Sequence, residues 1–150
     1  MRVPVLTLAQ FRELTRLRLL VEGFAAEEAA RVADEAGIEV LAGQRAARAA
    51  LPDAAAAVAA NRELHFALYR SAGMPSLVEM IERLWLKAGP ILNLDMRHEP
   101  RRLDGGSAVV AHAALLDALR RRDAAAARAA LVADISAAAA HIESTGRLAP

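Results

Sequence analysis

Alanine fills 38 of the 150 positions, and nothing else narrows the possible folds so sharply. It is the strongest helix former, because a methyl group loses no rotamer freedom in a helix and covers little of a strand's face. Leucine, the next most frequent apolar residue, occurs 21 times, against ten valines and five isoleucines. Aromatics are 3% of the chain. Strands draw on β-branched and aromatic side chains, and buried parallel strands read as Val/Ile runs. An all-β fold and a parallel sheet are therefore excluded. Disorder is excluded as well, since 55% of the residues are hydrophobic and the charges nearly cancel. A chain of this length makes one domain with a proper core, here residues 1–150 as a single all-α unit.

The chain has no cysteine, so disulfides, thiolate metal sites and cysteine nucleophiles drop out. No uninterrupted apolar run approaches the ~18–20 residues of a membrane span, and Met1-Arg2-Val3-Pro4-Val5 does not resemble a signal peptide. With 19 basic and 18 acidic residues, the excess positive charge of a nucleic-acid-binding domain is missing.

Periodicity divides the chain into about six helices. Thr7-Leu8-Ala9-Gln10 reads as a capping box, followed by Phe11, Leu14, Leu17, Arg18 and Val21 at helical spacing. The pattern runs on through Val32 and Ala33, with Gly23 as a soft point and Gly37 as the expected stop. A second helix is predicted over Ile38–Leu51, ending before Pro52. A third runs from an Asp53 cap to Ala72. A fourth starts from a Ser76 cap and is kinked or split at Pro90. Residues 99–107 read as the longest loop. A fifth helix starts near Ser107, and a sixth follows Asp123 and frays near Gly146. Short joints between such helices predict an antiparallel bundle of about six to seven helices enclosing a polar cavity. Alanines around that cavity are expected to leave space unfilled, with Leu64, Trp85 and Leu116 at its edges.

Phosphate loops, His-Glu-x-x-His, Glu-x-x-His and nucleophile elbows are all absent from the sequence. What remains is a set of polar residues on apolar faces. Asn61 and His65 stand one turn apart on the third helix, flanked by Leu64 and Leu68. His112 shares a face with Leu115, Leu116 and Leu119. Asp134 lies beside Leu131 and Ile135. Buried polar groups need partners, and imidazole, carboxylate and amide oxygen around one centre suit Zn²⁺, Mn²⁺, Ni²⁺ or Fe²⁺. The plainer alternative is a core histidine bonded to a carbonyl and an aspartate that is solvated or capping.

The stretch Asn61-Arg-Glu-Leu-His65-Phe-Ala-Leu-Tyr-Arg-Ser-Ala-Gly-Met-Pro-Ser-Leu77 resembles the third-helix signature of the FCD domain. This is the C-terminal, effector-binding domain of FadR-subfamily GntR-type transcription regulators. Ala111-His112-Ala-Ala-Leu-Leu-Asp-Ala-Leu-Arg-Arg-Arg-Asp123 is similar to the family's Glu-His-x-x-Ile/Leu-x-Ala-Leu-x-x-x-Asp, and Arg18-Leu-Leu-Val-Glu22 to its Arg-x-x-x-Glu. The three occur in order across roughly residues 8–143. The resemblance implies a divalent metal site at Asn61, His65, His112 and Asp134. Asn61 stands where the family has aspartate and Asp134 where it has its last histidine, so the single carboxylate has changed sides. His141, two turns beyond Asp134, is a further candidate. The implied effector is a small carboxylate, with Arg18 and then Arg97 as its charge partners. For Arg18 the alternative is an ordinary salt bridge to Glu22, and for Arg97 a solvated surface position.

The resemblance further implies a cytoplasmic, homodimeric ligand sensor without enzymatic activity. The family's operator contacts belong to an N-terminal winged helix that this sequence does not contain, so the chain itself is expected not to bind DNA. Two rival readings are a metal-dependent hydrolase or lyase and a metal-free dimerisation module. Against the first, Glu63 projects away from Asn61 and His65 and leaves no evident general base.

Overall fold

The computed structural model describes residues 6–47, 53–98 and 106–150. Thr7 opens α1 (Leu8–Val32) with the expected capping box: Thr7 Oγ1 accepts from the Gln10 amide at 3.1 Å, and Gln10 Oε1 from the Thr7 amide at 3.0 Å. α1 ends at Val32, not at Gly37. Two side chains account for the difference. Arg122, whose φ of 57° is left-handed, brings its guanidinium to the carbonyls of Ala30 and Ala33 and satisfies that helix end. Asp34 accepts from the Gly37 amide at 2.7 Å and so caps a new helix, α2 (Glu35–Ala47). Gly37 therefore lies in the first turn of α2 instead of closing α1. The boundary expected at Leu51-Pro52 lies outside the described residues.

Asp53 caps α3 (Ala54–Arg70) by accepting from the Ala56 amide at 2.8 Å. Pro75 is the first residue of α4 (Pro75–His98), where its missing N–H leaves nothing unpaired. Ser76 is consequently a first-turn residue and not the cap. α4 is continuous through Pro90 and is not split. Pro90 and Leu86 are both exposed, so the Leu86 carbonyl that loses its amide partner faces water. Most of the expected loop, residues 99–105, lies outside the described residues. Next come α5 (Ser107–Arg120) and α6 (Ala124–Ser144), the latter capped by Asp123. α6 stops two residues before Gly146, whose φ is +71°. Among the described residues there is no strand, and the chain is an all-α bundle.

α6 is the central helix. It packs along both α1 and α5, while α4 lies against α1 and α3, and α2 bridges α3 and α5. Alanine makes the closest contact possible: Ala25, Ala26, Ala29 and Ala30 of α1 have no exposed surface and share a core with Ala127, Ala130 and Leu131 of α6. By length and composition alone α6 is apolar enough to cross a membrane, although Arg128, Asp134 and His141 divide it into shorter apolar runs, as expected. Its apolarity comes largely from alanine, and its buried face carries Asp134. Two apolar clusters fill the bundle. One centres on Leu68, Tyr69, Ile81, Trp85 and Leu119, the other on Phe11, Leu14, Leu92, Met96 and Ile142. The polar residues collect where these clusters meet.

Candidate functional site

Helical spacing brings Asn61, His65 and Tyr69 onto one face of α3, and all three are buried. α5 contributes His112 and α6 contributes Asp134, 3% and 9% exposed. The side chains of His65, His112 and Asp134 converge. His112 Nε2 lies 3.0 Å and His65 Nε2 3.1 Å from the same oxygen, Asp134 Oδ2. The two imidazoles meet edge to face at 5.4 Å. One ligand atom from each residue fits within a 4.8 Å span. Burial alone would raise the Asp134 carboxyl, but hydrogen bonds and charge from His112 and His65 outweigh it and hold the group well below the ordinary carboxylate range. Two nitrogens and one carboxylate oxygen at such spacing are a donor set that fits a divalent cation such as Zn²⁺.

A second layer of polar groups supports His65. Its Nδ1 is 2.9 Å from Tyr69 Oη, and the Tyr69 hydroxyl donates to Glu22 Oε1. Trp85 Nε1 donates to that same oxygen at 2.9 Å, while Arg18 Nε donates to Glu22 Oε2 at 2.8 Å. Glu22 is wholly buried, and these donors stand in for the water it has lost. Burial and the neighbouring Glu22 carboxylate push the Tyr69 phenol well above its ordinary value, so it keeps its proton. Arg18 also lies over Trp85, 5.2 Å from the ring.

A cavity of about 40 Å³ opens beside this cluster, lined by Arg18, Asn61, His65, Trp85, Met96 and Asp134 among others. Residues of both apolar clusters form its walls, with Ala108 and Ala138 leaving part of it unfilled. Trp85 sits at its edge as expected. Leu64 and Leu116 instead border a smaller crevice of about 10 Å³ that His112 also borders.

The other expected site residues fall as follows. Asn61 lines the cavity, with Nδ2 3.9 Å from Met96 Sδ. Arg18 forms the salt bridge to Glu22 given as its alternative reading, and it also lines the cavity. The Arg97 side chain lies outside the described residues. His141 faces away from the cluster and pairs with Asp95 Oδ1 at 3.2 Å. Glu63 is exposed and 3.6 Å from Arg70. Sequence reasoning missed Tyr69 and Trp85 as partners of Glu22. Tyr69 carried a usable signal, standing one helical turn beyond His65, whereas Trp85 reaches Glu22 from another helix.

The family model of the FCD domain matches residues 13–137; the chain belongs to the FCD domain family. Its fold is shared by E. coli McbR/YncC, a GntR-family regulator, with a TM-score of 0.78 and 24% sequence identity over 95% of this chain and 72% of that one. No significant match to the chain exists among curated protein sequences.

Proposed function

We propose that this FCD domain senses a small carboxylate at a divalent metal held by His65, His112 and Asp134, and that it catalyses no reaction. The observation that carries the reading is the convergence of these three buried donors beside a cavity walled by Arg18 and Asn61. A bound cation would supply a positive centre that polarises and orients an anionic oxygen. Arg18 would balance the ligand's charge through guanidinium N–H groups not spent on Glu22. Asn61 would donate to the ligand once Met96 moves aside.

Cavity size links occupancy to signalling. About 40 Å³ holds roughly three or four waters, at ~10–15 Å³ each. A hydroxy acid or dicarboxylate needs more room, so it favours a state in which α4 has shifted against α3 and α6. Arg97 on α4 is proposed as a further charge partner. The homodimer proposed from family membership has a face to use: Leu17, Leu20 and Phe24 lie along one side of α1, 41%, 60% and 37% exposed. Operator binding in such a regulator falls to a winged-helix domain, and a cytoplasmic location accords with that role.

Metal analysis of protein prepared without chelator tests the proposal. We expect about one metal per chain, lost in both His65→Ala and His112→Ala. Titration with small carboxylates should show saturable binding without turnover, weakened tenfold or more by Arg18→Lys, which keeps the charge but loses the planar fork. Turnover of the same acids would favour a hydrolase or lyase. A second reading is favoured by the direct contacts of both imidazoles with Asp134, which satisfy a buried polar core without metal. Metal content below one-tenth per chain, unchanged by either substitution, would establish it.

A further inference from the structure

We infer that Tyr69 and Glu22 are positioning residues for the metal centre, holding a proton on His65 Nδ1 so that Nε2 is the nitrogen presented to the point shared with His112 and Asp134. The inference rests on the reading of that point as a metal site.

A phenol has one proton to give, and Tyr69 gives it to Glu22 Oε1. Glu22 has none to return, because both of its oxygens face N–H groups that can only donate. Its two oxygens already take bonds from Arg18 Nε at 2.8 Å and Trp85 Nε1 at 2.9 Å. Tyr69 Oη can therefore only accept in its contact with His65 Nδ1 at 2.9 Å. A ring nitrogen facing an oxygen with no proton left to donate must bring its own, so Nδ1 carries a proton whether or not Nε2 also holds one toward Asp134 Oδ2. The opposite arrangement would turn the phenol oxygen's lone pairs toward a carboxylate that is 0% exposed, where no water relieves the repulsion.

Ring orientation follows from the same chain. His65 is fixed by Tyr69 through Nδ1 and flanked by Trp85 at 5.5 Å and His112 at 5.4 Å. Its Nε2 consequently stands 3.1 Å from Asp134 Oδ2. Histidines that bind metals generally donate their second N–H to a partner that sets the tautomer and the angle of approach. In this chain a phenol on the same helix fills that role, anchored by a carboxylate from α1. Cavity and metal point then share one fixed body, since the Glu22 carboxylate that anchors Tyr69 also holds Arg18 on the cavity wall.

Ring-¹⁵N-histidine NMR on the whole chain, metal-free and with saturating Zn²⁺, tests this directly. The expected result is a protonated His65 Nδ1 in both samples and zinc on Nε2. Tyr69→Phe should lose that preference and bind Zn²⁺ roughly 10- to 100-fold more weakly, with helix content unchanged by circular dichroism. Zinc on Nδ1, or an unprotonated Nδ1 in the wild type, overturns the inference. So does a Tyr69→Phe protein with unaltered ring-nitrogen shifts and unaltered zinc affinity. If Tyr69→Phe fails to fold, the wild-type spectra decide alone. A wild-type chain that takes up no Zn²⁺ overturns the metal reading itself, while its metal-free spectrum still decides where the proton sits.

Discussion

Arg18 and Glu22 are one turn apart on α1, an arrangement that on a helix surface contributes only a few tenths of a kcal/mol. Buried, the same pair has a different meaning: their side chains are 6% and 0% exposed. Removing the cation leaves a carboxylate in the core, so Arg18→Ala should destabilise the fold by roughly 3–5 kcal/mol in urea unfolding. The Asp134 carboxyl has a pH signature. Its folded value is depressed by His112 and His65, so its contribution is complete above the unfolded value of about 3.9. That contribution is lost as pH falls further, toward the folded value. Asp134→Asn should thus cost roughly 1–3 kcal/mol at pH 7 and far less at pH 2.5, measured by denaturant midpoints at the two values. His65, His112 and Asp134 were legible in the sequence because each interrupts an apolar helical face, and a polar residue there demands a partner. The partners themselves were not. Glu22 and Trp85 are 63 residues apart, and periodicity along one helix says nothing about which other helix it faces.

At the scale of elements, helices were legible because alanine, leucine and spacing agree over long stretches. Ends were legible where the capping group is local, as at Thr7, Asp53 and Asp123. The end of α1 was misplaced because its cap comes from Arg122, 89 residues beyond Ala33. Glycine at position 37 suggested a stop, but the Asp34 carboxylate had already started α2 there. Arg122→Ala should destabilise the protein by about 1–2 kcal/mol in thermal or urea unfolding, by leaving carbonyls of α1 uncapped. Arg122→Gly should cost less than Arg122→Ala, since glycine adopts the left-handed backbone without strain. Equal losses would show that the backbone contributes little there.

For the whole molecule, a metal at the proposed centre would tie α3, α5 and α6 together. A ligand at 100 times its Kd that binds only the folded state adds ~2.7 kcal/mol. At ~2–4 °C per kcal/mol for a chain near this size, saturating Zn²⁺ should raise Tm by about 5–10 °C in a thermal-shift assay. Excess EDTA should reverse the shift, and His112→Ala should abolish it. The bundle itself was legible from composition, but its cavity was only half so. Alanine predicts unfilled space, whereas its place depends on how Leu92 and Met96 of α4 meet Asn61 and Ala138, which no single segment encodes.

Near the last residue, Ala149 exchanges backbone hydrogen bonds with the segment that enters α1: Leu8 N donates to Ala149 O at 2.8 Å and Ala149 N to Leu6 O at 3.0 Å. Leu148 sits on the Leu92–Met96 cluster, and Arg147 is 4.0 Å from Asp95 of α4. Entry and exit of the fold are therefore stitched at one seam. A mechanical load drawn along the entering segment is shared with the departing one, and peeling either free breaks this backbone pairing at the first turn of α1.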